Sequence, residues 1–160
     1  MNKNPSFKQL LKKPIQMLAF GFGSGLAKKA PGTMGTLAAV PIYYVVATFL
    51  VDYYLPILLL VCITGVWICG QAAKELGVHD HGGIVWDEIA GYLLTMYWVG
   101  FGWQNMLLGF ILFRVFDILK PWPISWIDEK VGGGFGIMLD DLVAALMAAV
   151  CLYGLTSYIA

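Results

Sequence analysis

Residues 53–73, YYLPILLLVCITGVWICGQAA, contain no Asp, Glu, Lys or Arg. A helix rises about 1.5 Å per residue, so about 20 apolar residues cross a hydrocarbon core about 30 Å thick. This stretch meets that length. Residues 30–51, 89–113 and 142–160 also lack charge and approach or exceed it. The rest of the composition agrees. Of 160 residues, 59% are hydrophobic and 12% charged, against about 25% charged in ordinary soluble domains. A soluble chain this short has a large surface to cover with polar groups. The expected fold is therefore all-α, a polytopic membrane helical bundle forming a single domain over residues 1–160.

Working outward, the first span is expected at about 36–51, a turn at Asp52, and the second span at about 55–73. A short polar loop, residues 78–83, follows. The run 89–113 is too long for one crossing and slightly short for two. Gly100, Gly102, Trp103, Gln104 and Asn105 read as its turn, which makes a short hairpin of helices at about 86–99 and 106–119. Residues 121–136 read as a connection, and the last span as about 139–158. That gives five crossings. Residues 1–29 are basic at both ends and apolar in the middle, the pattern of an interfacial helix. They lack the small-x-small site of a cleaved signal. The glycines of residues 21–36 suggest irregular backbone, with Thr33 or Thr36 capping the first span. Tyr53, Tyr54, Trp98, Trp103, Trp122, Trp126 and Tyr158 fall near proposed helix ends, as interface anchors do.

All ten Lys and Arg lie outside the turns near Asp52 and 100–105. An even number of spans between the basic groups lets them share the cytoplasmic face. The net charge of zero argues against nucleic acid as a partner. Cys62, Cys69 and Cys151 lack metal-ligand clustering and read as small hydrophobes. An apolar Gly-bearing helix surface leaves a homodimer open.

The acids carry the chemistry. Asp80, Asp87, Glu88, Asp117, Asp140 and Asp141 fall near the ends of apolar helices. A carboxylate near hydrocarbon is costly unless it meets water, a cation or a basic side chain. Several gathered on one membrane face make an oxygen-rich site of the kind Mg²⁺ favours. Adjacent residues on a helix point about 100° apart. One member of Asp140-Asp141 or of Asp87-Glu88 is thus expected to bind metal while the other acts through water or an ion pair, unless the pair sits at a helix end. The plain alternative is acid placed at helix N-termini for the dipole. Arg114, Asp117 and Lys120 share one helix face. Either they form an ion-pair ladder, or Asp117 joins the metal site and the cations meet an anionic oxygen. The Gly/Thr stretch with Ser24, Lys28, Lys29, Thr33 and Thr36 suits either a phosphate nest or close helix packing. His79 and His81 bracket Asp80 as proton carriers or loop bridges. No thiol-phosphatase or Gly-x-Ser-x-Gly motif is present, so activated water is the simpler nucleophile.

Four segments in one order resemble the phosphatidylglycerophosphatase A family of bacterial membrane lipid phosphatases. They are GSGLAKKAPGTMGT (23–36), Asp80 with VWDEIAG (85–91), FRVFDILKPWP (113–123) and GGGFGIMLDDLVA (132–144). The resemblance implies Mg²⁺-dependent hydrolysis of phosphatidylglycerophosphate to phosphatidylglycerol and phosphate at the bacterial inner membrane, with the site facing the cytoplasm. It implies metal ligands among Asp87, Glu88, Asp117, Asp140 and Asp141. Ser24, Lys29, Thr33, Thr36 and Lys120 would face the phosphate. Asp80 or Asp141 would orient water, Arg114 and Lys120 would offset charge, and water or, second to it, His79 would protonate the leaving oxygen. The alternatives are a phosphatase of another lipid phosphate such as phosphatidate, a small ion-coupled transporter and a non-catalytic membrane subunit.

Overall fold

The computed structural model describes residues 5–78 and 81–159, all of it helix, turn and loop. His79 and Asp80 lie outside the described residues. Two short helices open the chain, α1 (Phe7–Leu10) and α2 (Pro14–Ala19), followed by a 3-10 segment, Gly21–Leu26. Then come α3 (Pro31–Phe49), a 3-10 turn at Val51–Tyr53, α4 (Tyr54–Leu76), α5 (Trp86–Met96), α6 (Trp103–Leu119), α7 (Ile124–Lys130) and α8 (Gly133–Ile159). Among the described residues, three stretches are long and apolar enough to cross a membrane: Pro31–Phe49, Val51–Leu76 and Gly133–Tyr158.

The periphery and the centre obey opposite rules. Leu59, Leu60 and Ile63 on α4, Leu107, Ile111 and Val115 on α6, and Leu146 and Val150 on α8 are exposed. So broad an apolar surface is stable in lipid and a liability in water. Inside, α8 packs against α4, α5, α6 and α7. Ala144, Ala145, Ala148 and Ala149 line its buried face, and such small side chains let helices approach where no hydrophobic effect drives them together. Aromatic polar groups at depth find backbone partners. The Tyr54 hydroxyl donates to Leu93 O at 2.8 Å, Tyr92 to Met106 O at 3.0 Å, and the Trp86 indole to Val61 O at 3.1 Å.

Several boundaries differ from expectation. The N-terminal segment is two short helices and a 3-10 segment. Phe22 and Gly23 take positive φ there and break the helix. Neither Thr33 nor Thr36 caps α3. Pro31 occupies its first turn after Ala30 in the left-handed region, where proline's missing N–H costs nothing. Thr36 lies a turn inside and donates to Gly32 O at 3.0 Å. Tyr54 is buried because its hydroxyl serves α5. Helix α5 ends at Met96, and its 11 residues reach only about 16 Å. The connection 121–136 holds α7, whose Ile124 and Ile127 are buried, and the first turn of α8.

That early start of α8 has a packing reason. A side chain at Gly134 would strike Val66 O and the Gly70 backbone on α4. The glycine serves close helix approach and is not a loop signal. With 27 residues, α8 is about 40 Å long, longer than the hydrocarbon core is thick. Asp141 lies about 12 Å along it, so α8 can carry this acid near the edge of the core.

Candidate metal centre

Three helices deliver the acids to one place. Asp87 and Glu88 sit in the first turn of α5, where the backbone turns out of the 81–85 loop and the helix dipole favours negative charge. Being at a helix end, both members of the pair reach the same region. Asp141 arrives from α8. Gly91 makes room for α6 beside it, since a side chain there would strike the Phe113 ring, while Asp141 O would be at ordinary contact distance. One carboxylate oxygen each from Asp87, Glu88 and Asp141 lies within 4.8 Å of the others. Asp87 is 8% and Asp141 4% exposed.

From α6, Asp117 stands close enough to Asp141 and Glu88 to interact with both. Arg114, one turn earlier, pairs with Asp117 and lies 3.6 Å from Glu88 Oε1. Four carboxylates therefore face one guanidinium. Buried like charges this close are costly without a further cation. The oxygens themselves point the same way: Asp87 Oδ1, Glu88 Oε2 and Asp141 Oδ2 are buried without a hydrogen-bond partner among the described residues. Such groups normally have partners. Three free hard oxygens, one from each acid, form a donor set suited to a divalent cation. Two oxygens on one Mg²⁺ lie at most about 4.2 Å apart, close to the 4.8 Å within which one oxygen of each acid already lies.

The fifth acid does different work. Asp140 Oδ2 accepts from Lys120 Nζ at 2.8 Å, and Asp140 Oδ1 accepts from the Asp141 backbone N–H at 3.0 Å. Lys120 also donates to Asp128 Oδ1 at 2.7 Å. Burial alone would lower the Lys120 pKa, but the bonds to Asp128 and Asp140 hold the ammonium above its ordinary range. Lys120 ends α6 with positive φ, ahead of Pro121, which hinders further helix. The kink turns its amine back toward α7 and α8. Neighbours Asp140 and Asp141 thus point to separate partners, as their 100° offset requires.

The glycine-rich stretch meets this centre at the start of α3. A side chain at Gly32 would overlap Glu88 Oε1 and crowd the Arg114 guanidinium. Gly32 and Thr33 are first-turn residues of α3, whose N–H groups have no partner within the helix. Lys29 is exposed just before them. Ser24 and Thr36 have already committed their hydroxyl hydrogens, to Gly21 O at 2.9 Å and to Gly32 O. His81 is buried. Its Nδ1 accepts from Gly83 N at 3.0 Å and its ring lies 5.5 Å from Phe20, which makes it a bridge closing its own loop.

Two contributors were not read as site residues from the sequence. Asp128 is exposed on α7, and from that surface position it still accepts from Lys120. Gly32 was masked by the many glycines around it. The Pro31-Gly32-Thr33 order at a helix start was the signal available.

A sequence profile described as "PgpA: Phosphatidylglycerophosphatase A" matches residues 17–156. This chain belongs to the phosphatidylglycerophosphatase A family. Among its relatives, the Escherichia coli K12 "Phosphatidylglycerophosphatase A" is 50% identical over 146 residues, covering 89% of this chain and 84% of that one. The Haemophilus influenzae Rd protein of the same name is 44% identical over 154 residues, covering 95% and 94%. No solved structure matches. The family match spans all the elements that meet at the acidic centre: the start of α3, the first turn of α5, the end of α6 and the first half of α8.

Proposed function

We propose that this protein is a Mg²⁺-dependent phosphatase that hydrolyses phosphatidylglycerophosphate to phosphatidylglycerol and phosphate. The observation that carries the reading is the set of three buried, unpartnered oxygens on Asp87, Glu88 and Asp141 beside Arg114, in a chain of this family. Asp87, Glu88 and Asp141 would hold the metal, with Asp117 beside them. When bound, Mg²⁺ supplies charge that offsets the phosphate oxygens and makes water a better nucleophile.

The protein's own groups do the rest. Arg114, beside Glu88 and Asp117, and Lys120, beside Asp140, would balance charge on the phosphoryl oxygens. For Lys120 this means giving up Asp128, the more exposed of its two partners. Gly32 and Thr33 offer free N–H groups at the positive end of α3, and Lys29 adds charge at the approach. A carboxylate, Asp141 or Asp80, orients the attacking water. The water oxygen bonds to phosphorus, the ester bond to the terminal glycerol oxygen breaks, and that oxygen gains a proton, from His79 or from solvent. The apolar helix faces keep the acyl chains in the bilayer.

The five-crossing arrangement belongs to the same proposal. Helices α5 and α6 form the short hairpin, and the chain sits in the bacterial inner membrane with the acidic centre toward the cytoplasm. A panel of phosphatidylglycerophosphate, phosphatidate and glycerol 3-phosphate, scored by released phosphate at saturating Mg²⁺, tests the substrate. Phosphatidylglycerophosphate is expected to exceed the others by at least about tenfold in kcat/KM, since contacts to the extra glycerol separate it from phosphatidate. Equal or faster turnover of phosphatidate would displace the assignment.

A further inference from the structure

The first 51 residues contain six of the ten basic side chains and no Asp or Glu. Lys13 is spent on Glu75, at 3.3 Å. Lys8, Lys12 and Lys28 are exposed and make no ion pair among the described residues. Beside them Phe7, Leu11 and Phe22 are 50–61% exposed. This surface is built, not a loose tail. Leu10 and Phe20 are fully buried, Gln16 donates to Glu75 Oε2 at 2.8 Å, and the Phe7 ring rests over Gly23. Among the described residues, the membrane-length stretches begin at Pro31 or later, after these lysines. Exposed lysines interleaved with exposed large apolar groups on short helices are the pattern of a surface lying in the headgroup layer. Unpaired lysines there attract anionic lipid over zwitterionic lipid.

We infer that the N-terminal segment is an anionic-phospholipid docking surface. Lys8, Lys12 and Lys28 contact headgroup phosphates, and Phe7, Leu11 and Phe22 insert at the acyl boundary. Lys28 and Lys29 lead directly into Pro31 and Gly32, so lipid gathered there stands at the chain's approach to the acidic centre. The surface does not depend on which lipid phosphate the centre hydrolyses.

Full-length protein in nanodiscs tests this with spin-labelled phosphatidylserine and phosphatidylcholine, by electron paramagnetic resonance of the motionally restricted fraction. Wild type is expected to retain phosphatidylserine about 3- to 10-fold better at low salt, with the preference collapsing toward unity near 0.5 M salt. Lys8→Gln/Lys12→Gln/Lys28→Gln should remove most of it, and Lys74→Gln/Lys130→Gln should leave it. No preference in wild type, a preference insensitive to salt, or equal loss in the two variants would overturn the inference. The wild-type salt series needs no variant to fold, and lipid retention is read without phosphatase turnover, so failure of the catalytic proposal leaves the result intact.

Discussion

Helices α5 and α6 flank the same helix and are built on opposite terms. Of the 11 residues in α5, eight are buried; of the 17 in α6, only Gly109 and Phe113 are. Helix α5 is wrapped by α3, α4, α6 and α8 and carries two acids into that enclosure. Helix α6 turns Leu107, Ile111 and Val115 outward and directs Arg114 and Asp117 inward. An acid in a protein-wrapped helix is costly as a bare anion and is relieved by a proton or by a cation brought to it. Helix α6 brings one guanidinium, and the proposed metal would supply the rest. On the proposed function, the contrast puts the chemistry beside α5 and the lipid contact on the outer face of α6.

The strongest way to break that contrast is to remove the ligands on the inner side. Asp87→Asn and Asp141→Asn are expected to lower phosphate release by at least about 100-fold at saturating Mg²⁺, the scale of losing a main electrostatic contributor. Near-normal rates in both would dissolve the proposed centre. Next is the guanidinium. Arg114→Ala leaves Glu88 and Asp117 without their basic partner and should cost about 3–5 kcal/mol of stability, as breaking a buried ion pair does. Thermal or denaturant unfolding in detergent measures it. An unchanged midpoint would mean that the cluster is better solvated than its burial indicates.

A smaller effect is expected at Gly32. In Gly32→Ala the new methyl meets Glu88 Oε1, so the carboxylate must move. Activity should fall about tenfold with a higher Mg²⁺ requirement, since displaced supporting groups cost metal sites 10- to 100-fold. Loss of activity with an unchanged Mg²⁺ half-saturation would detach Gly32 from metal positioning. The smallest effects belong to the outer face. Ile111→Ala and Val115→Ala should each shift unfolding by no more than about 0.5 kcal/mol and leave turnover intact. A large loss at either would mean that this face packs against protein, as in a dimer.

Much of this was legible in the sequence because membrane helices declare themselves by length and lack of charge. The uncharged runs located α3, α4 and α8, and Asp52 and Gly100–Gly102 fell at real turns, while Trp103–Asn105, expected in the turn, open α6, with Asn105 Nδ2 donating back to Gly100 O at 2.8 Å. What misled was glycine. In a soluble loop the run 132–136 would end a helix, but in a bilayer Gly134 begins one by letting α4 and α8 touch. Helix α7 escaped because seven residues between prolines and glycines carry too little periodicity. At the site, chain spacing alone could suggest that Asp140 and Asp141 diverge. It could not show that Asp128 would cross a turn to share Lys120 with Asp140, because that depends on where the left-handed kink after Leu119 sends the chain.

The most direct test of the metal centre is Mn²⁺ binding to purified protein without substrate, followed by electron paramagnetic resonance and competed with Mg²⁺. Wild type should bind in competition with Mg²⁺, and Asp87→Asn and Asp141→Asn should each weaken binding by about tenfold or more. Undiminished binding in both variants, or none in wild type with substrate turnover still present, would contradict a cation held by these buried oxygens.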